Sequence, residues 1–330
     1  MGQQRAEERK DLTLCHRRRG AAMEKMKAKH VHEFIERYVV ESGEDFRIKD
    51  HDPGDTHDLK SGDKPEAKRL TEEGIVLLRE MQDKLYAQSS WGLLLIFQGM
   101  DAAGKDSTIK HVMSGVNPQG VEVHAFKEPS SAELAHDFLW RTNRCLPARG
   151  KIGIFNRSYY EEVLVVRVHP EILEKERIPK ELRGEHFWKN RYEDISAFEK
   201  YATRNGIAIR KVFLNVSKKE QKKRFLERLD NPEKNWKFSA ADVKERKCWD
   251  DYQSAYEKMI RNTASGHAPW VVVPADNKWF SRLLVVATVV DALSEMNLEY
   301  PKVSEEKLAE LRAARKELEK SSARGRKRKR

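Results

Sequence analysis

Residues 99–107 read Gly-Met-Asp-Ala-Ala-Gly-Lys-Asp-Ser, with a lysine directly after the second glycine. Glycines at this spacing let backbone N–H groups approach phosphate oxygens closely. A helix starting at the lysine adds the positive end of its dipole, and Lys105 adds a point charge. The stretch therefore reads as a phosphate-binding P-loop, with Gly99, Met100, Ala102, Ala103, Gly104, Asp106 and Ser107 around the phosphates; an ordinary glycine turn is the alternative. Two positions depart from the usual loop. A serine or threonine normally follows the lysine and binds Mg²⁺ through its hydroxyl, but here Asp106 stands there and a further carboxylate, Asp101, lies inside the loop. Mg²⁺ takes one or two carboxylates together with water and substrate phosphates, so Asp101 is the expected ligand unless it only shapes the turn. Mn²⁺ is the expected substitute.

A second stretch, Ile152-Gly-Ile-Phe-Asn-Arg-Ser-Tyr-Tyr-Glu161, ends an apolar run with polar residues. Asn156 stands where a later-strand aspartate usually assists the metal. Arg157 would neutralise charge on a transferring phosphoryl group, or else brace the sheet. Glu161 would help hold the metal or the acceptor. Lys127 follows another apolar run, and Lys127, Arg141, Arg167, Arg177 and Arg191 are candidates for a cationic track, each with a solvated face as its alternative.

Such residues need a scaffold that brings strand ends together. Five short apolar runs, at 93–97, 121–126, 152–155, 207–214 and 270–273, alternate with helical patterns. That alternation predicts a doubly wound, parallel five-stranded α/β sheet with helices on both faces, with ligands beyond the C-terminal strand ends. Ile75, Leu78, Met81 and Leu85 fall on one face of a helix before the first strand. Residues 1–65 read as a partly mobile extension that wraps the core. Residues 66–300 read as the phosphotransferase domain, and 301–330 as a C-terminal helix and basic tail. The charged segment at about 168–205 reads as a helical lid over a charged substrate, with a solvated helical pair as the alternative. Trp236, Trp249, Trp270 and Trp279 are expected in the core, with stacking on a base as the alternative.

The bulk composition narrows the class. With 330 residues, 39% hydrophobic and 35% charged, the chain is long enough for one large domain with decorations. No apolar run approaches a membrane span, and no apolar signal core opens the chain. Met1-Gly2 starts like a myristoylation signal, but Ala6 stands where a serine or threonine is needed. Cys15, Cys145 and Cys248 are far apart, and the eleven histidines show no ligand spacing. A reducing compartment, the cytoplasm, is expected. The net charge of +11 asks for a polyanionic partner. The basic stretches near residue 17 and at 324–330 read as solvated tails, with weak contact to nucleic acid or polyphosphate as the alternative.

The segments Gly-Met-Asp-Ala-Ala-Gly-Lys-Asp-Ser-Thr (99–108), 152–170, 234–260 and 268–285 together resemble the second family of polyphosphate kinases, the polyphosphate:nucleotide phosphotransferases, over about residues 65–300. The resemblance implies a thymidylate-kinase-like P-loop domain with a helical lid. It also implies transfer of a terminal phosphoryl group between inorganic polyphosphate and a nucleotide with Mg²⁺. Asp101 would then bind Mg²⁺, Lys105 and Arg157 would hold the donor and the transferring group, and Glu161 would lie near the acceptor. Many members carry aspartate at the position of Asn156. The asparagine form resembles the subgroup that phosphorylates both AMP and ADP, giving ADP and ATP. The family further implies a homo-oligomer, a dimer or tetramer. Two rivals remain from the residues alone: a nucleotide kinase with ATP as donor, and a polyanion-binding protein with a vestigial P-loop.

Overall fold

The computed structural model describes residues 30–327. The basic stretch near residue 17, Cys15 and the last three residues of the tail lie outside the described residues. One sheet holds β1 (Val39–Val40), β2 (Gly92–Gln98), β3 (Val121–Ala125), β4 (Ile152–Asn156), β5 (Ile207–Asn215) and β6 (Trp270–Pro274). The order across it is β1-β6-β5-β2-β4-β3. The five expected strands are parallel, but β1 adds to the edge antiparallel to β6, so the sheet is mixed and six-stranded. β1 is two residues long, too short for periodicity to reveal, and it comes from the stretch expected as an extension. Ile35, Tyr38 and Phe46 from that stretch are buried in the main core.

β2 lies between two parallel neighbours and every one of its residues is buried, which is why it reads as an unbroken apolar run. The helices labelled here are α1 (Lys64–Gln88), α2 (Lys105–Val112), α3 (Phe187–Arg204), α4 (Lys218–Leu229), α5 (Trp249–Thr263) and α6 (Lys278–Ser294). α1 opens with a proline in its first turn and closes at Ser89 in the left-handed conformation. Its buried face includes Leu78, Met81 and Leu85, with Ile75 half-buried. α6 is buried all round from Leu283 to Leu293, because it runs between the sheet and α1. The two helices approach so closely that a Cβ at Gly74 would meet Val286 Cγ1 at 2.5 Å.

Successive residues of β5 show the two helical layers, since neighbouring side chains on a strand point to opposite faces. Arg210 pairs with Glu295, just past α6, at 2.5 Å. Lys211 pairs with Glu199 of α3 at 2.7 Å. α3 is therefore a layer of the fold, with Ile195, Glu199 and Ala202 buried against it. Residues 187–204, expected within the lid, form an amphipathic helix whose inner face, Arg191 and Glu199 included, is buried, while most of its other charges lie on the solvent face. The rest of the charged segment carries short turns at Val165–Val168, Pro170–Leu173 and Lys180–Leu182. Trp249 and Trp270 are buried and Trp279 is half-buried, but Trp236 is 78% exposed, contrary to its expected place in the core.

The described chain separates into two units, one ending at residue 298 and one starting at 299, and the second contains helix α7 (Glu305–Lys327). Among the described residues, no helix is long and apolar enough to cross a membrane. The path of the sheet positions the site. From β2 the chain goes out to β3, returns to β4 beside β2, then crosses to β5 on the other side of β2. That reversal opens a crevice at the C-terminal ends of β2 and β4. Register sets Phe97 opposite Asn156, and Ala125 opposite Asn156 from the far side, so three loops leave the sheet together.

Candidate active site

The loop after β2 owes its shape to two glycines. Gly99 has φ 151°, and a Cβ there would lie 2.9 Å from Leu214 O; Gly104 has φ 111° and caps α2. Ala102 between them has φ 63°, a strained value for alanine. Met100 and Ala103 are buried and bonded to each other, Ala103 N–H donating to Met100 O at 3.1 Å. Lys105, 8% exposed, donates from Nζ to Gly99 O at 2.5 Å and Met100 O at 3.3 Å. Burial pulls its pKa down and the neighbouring Arg157 adds to that, while Asp101, Glu161 and Asp106 oppose it. Ser107 is exposed and its hydroxyl donates to Gly104 O at 2.9 Å.

Asp101, Arg157 and Glu161 form a charged chain. Arg157 Nη2 meets Asp101 Oδ1 at 2.7 Å, and Nη1 meets Glu161 Oε2 at 3.2 Å. Glu161 first, and then Asp101, hold the guanidinium pKa above its ordinary value against the cost of burial. The residue sits at φ 63° while its N–H donates to Phe97 O at 3.1 Å, so backbone strain points the side chain across the crevice. Gln98 steadies the other end of the chain when its amide is assigned with the nitrogen toward the carboxylate, 2.9 Å from Glu161 Oε1, and the oxygen toward Ser158. Asn156 Nδ2 donates to Asp106 Oδ1 at 2.7 Å, joining the end of β4 to the start of α2. The next residues, Tyr159 and Tyr160, are fully buried and donate to Glu199 Oε1 at 2.9 and 2.7 Å. They fasten the Arg157–Glu161 turn to the layer below.

Four residues here escaped the sequence reading. Arg224 of α4 is buried and donates to Ala102 O at 3.0 Å, Ala103 O at 2.7 Å and Ala275 O at 2.5 Å. With those carbonyls turned to Arg224, the loop's shape is held from behind. Gln221, one turn earlier, donates to Asp101 O at 3.0 Å. Their spacing on α4 places both on one helical face, which is the signal that could have found them. Asp242 carries a carboxyl pushed up first by burial and then by the negative charge of Asp101. Tyr256 of α5 lies buried beneath Gly99, its hydroxyl pKa raised by burial and by Glu161.

Two cavities open from this centre. The first, about 750 Å³, is walled by Asp101, Gly104, Lys105, Asp106, Asn156 and Arg228, with Trp236 and Lys278 at its rim. The second, about 830 Å³, is lined by Phe138, Glu161, Lys175, Arg177, Phe187 and Asn190 among others. Phe126, Lys127, Glu128 and Arg157 line both. Of the candidates for a cationic track, Lys127 thus lines both cavities and Arg177 the second. Arg167 lines neither cavity: its guanidinium lies 5.1 Å from the Trp188 ring and 3.4 Å from Tyr192 Oη. Arg141 is turned to Lys127 O at 2.8 Å. Arg191 is paired with Glu162 at 2.7 Å and with Glu176. Burial pushes the Glu162 carboxyl up to about 7, opposed by Arg191.

A glycine-rich phosphate loop, a bridging arginine and two adjoining cavities on an α/β sheet define a phosphotransferase. The chain belongs to the Polyphosphate kinase 2 (PPK2) family, which matches residues 61–301. It is 53% identical over 242 residues to the ADP-polyphosphate phosphotransferase of Rhodopseudomonas palustris, covering 73% of this chain and 84% of that one. It is 42% identical over 271 residues to the AMP/ADP-polyphosphate phosphotransferase of Meiothermus ruber, covering 81% of this chain and 96% of the other. A crystal structure of Polyphosphate Kinase 2 from Arthrobacter aurescens superposes with a TM-score of 0.76 at 40% identity, covering 84% of this chain and 95% of that one.

Proposed function

We propose that this protein transfers the terminal phosphoryl group of inorganic polyphosphate to AMP and to ADP, giving ADP and ATP, in a reversible reaction. The observation that carries this reading is the meeting of two cavities at Arg157, one walled by the phosphate loop and the other large enough for a nucleotide. The loop cavity takes the phosphate chain, past Lys127, Arg228 and Lys278. The second cavity takes the nucleotide, with its phosphate toward Arg157 and Glu161.

In the reaction an acceptor phosphate oxygen attacks the terminal phosphorus, and the bond from that phosphorus to the bridging oxygen breaks. The donor leaves one phosphate shorter, carrying the electron pair of that bond. No residue need form a covalent intermediate, because the acceptor oxygen is already a nucleophile. Positioning and charge neutralisation do the work. Lys105 turns from the loop carbonyls to the donor phosphate, and Arg157 spans donor and acceptor. Glu161 and Asp101 fix the Arg157 guanidinium between the cavities.

The donor set fits Mg²⁺. Asp101 offers a hard carboxylate oxygen at the loop, and Asp242 lines the same cavity. Among the described residues no group of three acidic, histidine or cysteine side chains could hold a cation unaided, so the remaining ligands would be phosphate and water. When bound, Mg²⁺ would supply charge neutralisation on the phosphates. Asn156, spent on Asp106 and neutral, adds no charge to that set. The neutral amide supports the dual-acceptor reading, as does the name of the Meiothermus ruber relative.

The donor is tested by steady-state kinetics with polyphosphates of graded length against a fixed concentration of ADP. An apparent KM that falls as the chain lengthens is expected. Turnover only with a nucleoside triphosphate as donor would overturn the reading.

A further inference from the structure

The second cavity is roofed in part by residues 172–182, a stretch with few buried side chains and only short helical turns. One side chain of this lid reaches into the body. Glu176 Oε2 accepts from Arg191 Nη2, and the other arm of the same guanidinium, Nη1, donates to Glu162 Oε2 at 2.7 Å. Arg191 is itself immobilised, with its guanidinium 4.6 Å from the Phe138 ring and 4.9 Å from Phe187. It stands on α3, whose inner face is buried against the sheet. Arg141 faces Glu162 from the other side, 3.9 Å from Oε1. Arg183 braces the lid internally, donating to Glu176 O at 2.6 Å and Ile178 O at 3.0 Å.

One arginine thus ties three parts together: the rigid helix α3, the turn carrying Glu161 and Glu162, and the lid. The residues on either side of Glu176, Lys175 and Arg177, are exposed cations that line the cavity. Because Glu176 is pinned, its neighbours are presented to whatever occupies that cavity.

Resting on the proposed nucleotide site, we propose that Arg191 and Glu176 are positioning residues, a latch with Glu162 that seats the lid so that Lys175 and Arg177 face the phosphates of the nucleotide. The latch is not part of the reacting centre. Its loss lowers the fraction of molecules with a seated lid, and apparent affinity falls by that fraction. The chemical step in the molecules that do bind is left nearly intact. Glu162 joins the latch to the turn that carries Glu161, which it follows directly in the chain. Arg191, a candidate for the cationic track, lines the second cavity, but both arms of its guanidinium are engaged by carboxylates.

The test compares Glu176→Ala and Glu176→Gln with the unaltered full-length protein. If one molecule in ten keeps a seated lid, Glu176→Ala raises KM for AMP and ADP about tenfold. Its kcat at saturating nucleotide stays within about threefold, because a uniform-binding defect spares turnover. Glu176→Gln, whose amide oxygen still accepts from Arg191, restores most of the affinity. In parallel, limited trypsin digestion of the nucleotide-free proteins reads the lid without turnover, and cleavage after Lys175, Arg177, Lys180 or Arg183 accelerates in Glu176→Ala. Wild-type KM values with an unchanged cleavage rate would overturn the latch, as would a fall in kcat at constant KM. Absence of any polyphosphate-dependent turnover in the unaltered protein would instead remove the nucleotide-site reading, while the digestion still decides whether Glu176 seats the lid. Arg191→Lys, which keeps the charge but not the two-armed geometry, supplies a second variant should Glu176→Ala fail to fold.

Discussion

At the residue scale the site divides into groups that meet the phosphates and groups that hold the first kind still. In the proposed reaction Lys105 and Asp101 are of the first kind. Lys105→Ala and Asp101→Ala are expected to lower kcat/KM by at least about a thousandfold, in keeping with the loss of a preorganised charge. Lys105→Ala should not lower the melting temperature by more than a few degrees, because Lys105 is buried at an electrostatic cost that its removal relieves. Near-normal turnover in either variant would count against the loop as the reacting centre. Arg224 is of the second kind. Arg224→Gln removes donors from the loop carbonyls, and raises KM for polyphosphate more than KM for the nucleotide if the loop holds the donor. The loop, Arg157 and Glu161 were legible in the sequence because their chemistry is local: glycines for tight backbone, a lysine, and polar residues at a strand end. Arg224 was not, because its partners are backbone carbonyls about 120 residues away that any sequence would supply. Arg167 misled for the opposite reason, since a charge on a helix says nothing of which way it faces.

At the scale of elements, the turn that carries Arg157 and Glu161 depends on the layer beneath it. Lys211 of β5, fully buried, donates to Glu199 Oε2 at 2.7 Å and to Thr263 O at 2.7 Å, and Glu199 also receives both tyrosine hydroxyls of the turn. Removing one partner of such a pair strands a buried charge. Lys211→Met should destabilise the protein by about 3–5 kcal/mol in chemical denaturation, and adding Glu199→Gln should recover part of the loss, since the amide oxygen can still accept from the tyrosines. A double variant no more stable than the single one would show that the ion pair is not what holds this layer. The parallel strands were legible as apolar runs because β2 and β6 are buried on both faces. β1 was not, being two residues whose pairing with β6 is decided by tertiary contact. The buried stripe of α3 was not legible because the helix combines it with a highly charged composition, and composition alone conceals the stripe. α6 is rich in valine, a residue that favours strands, and is nevertheless helical, since complete burial between sheet and α1 outweighs intrinsic preference.

At the scale of the whole molecule, a net charge of +11 matches a linear polyanion better than a single nucleotide. Polyanion binding releases counterions, so KM for long-chain polyphosphate is expected to rise at least about tenfold between about 50 and about 200 mM salt. KM for ADP should change much less, and equal salt dependence for the two substrates would argue against an extended phosphate track. The central claim concerns donor and acceptor together, and one assay reaches both. Purified full-length protein is incubated with Mg²⁺ and long-chain polyphosphate, with AMP and ADP offered separately and the products resolved by chromatography. ADP and ATP from AMP, together with ATP from ADP, are the predicted products. ATP from ADP alone would contradict the dual-acceptor assignment, and no product from either acceptor would contradict the function itself.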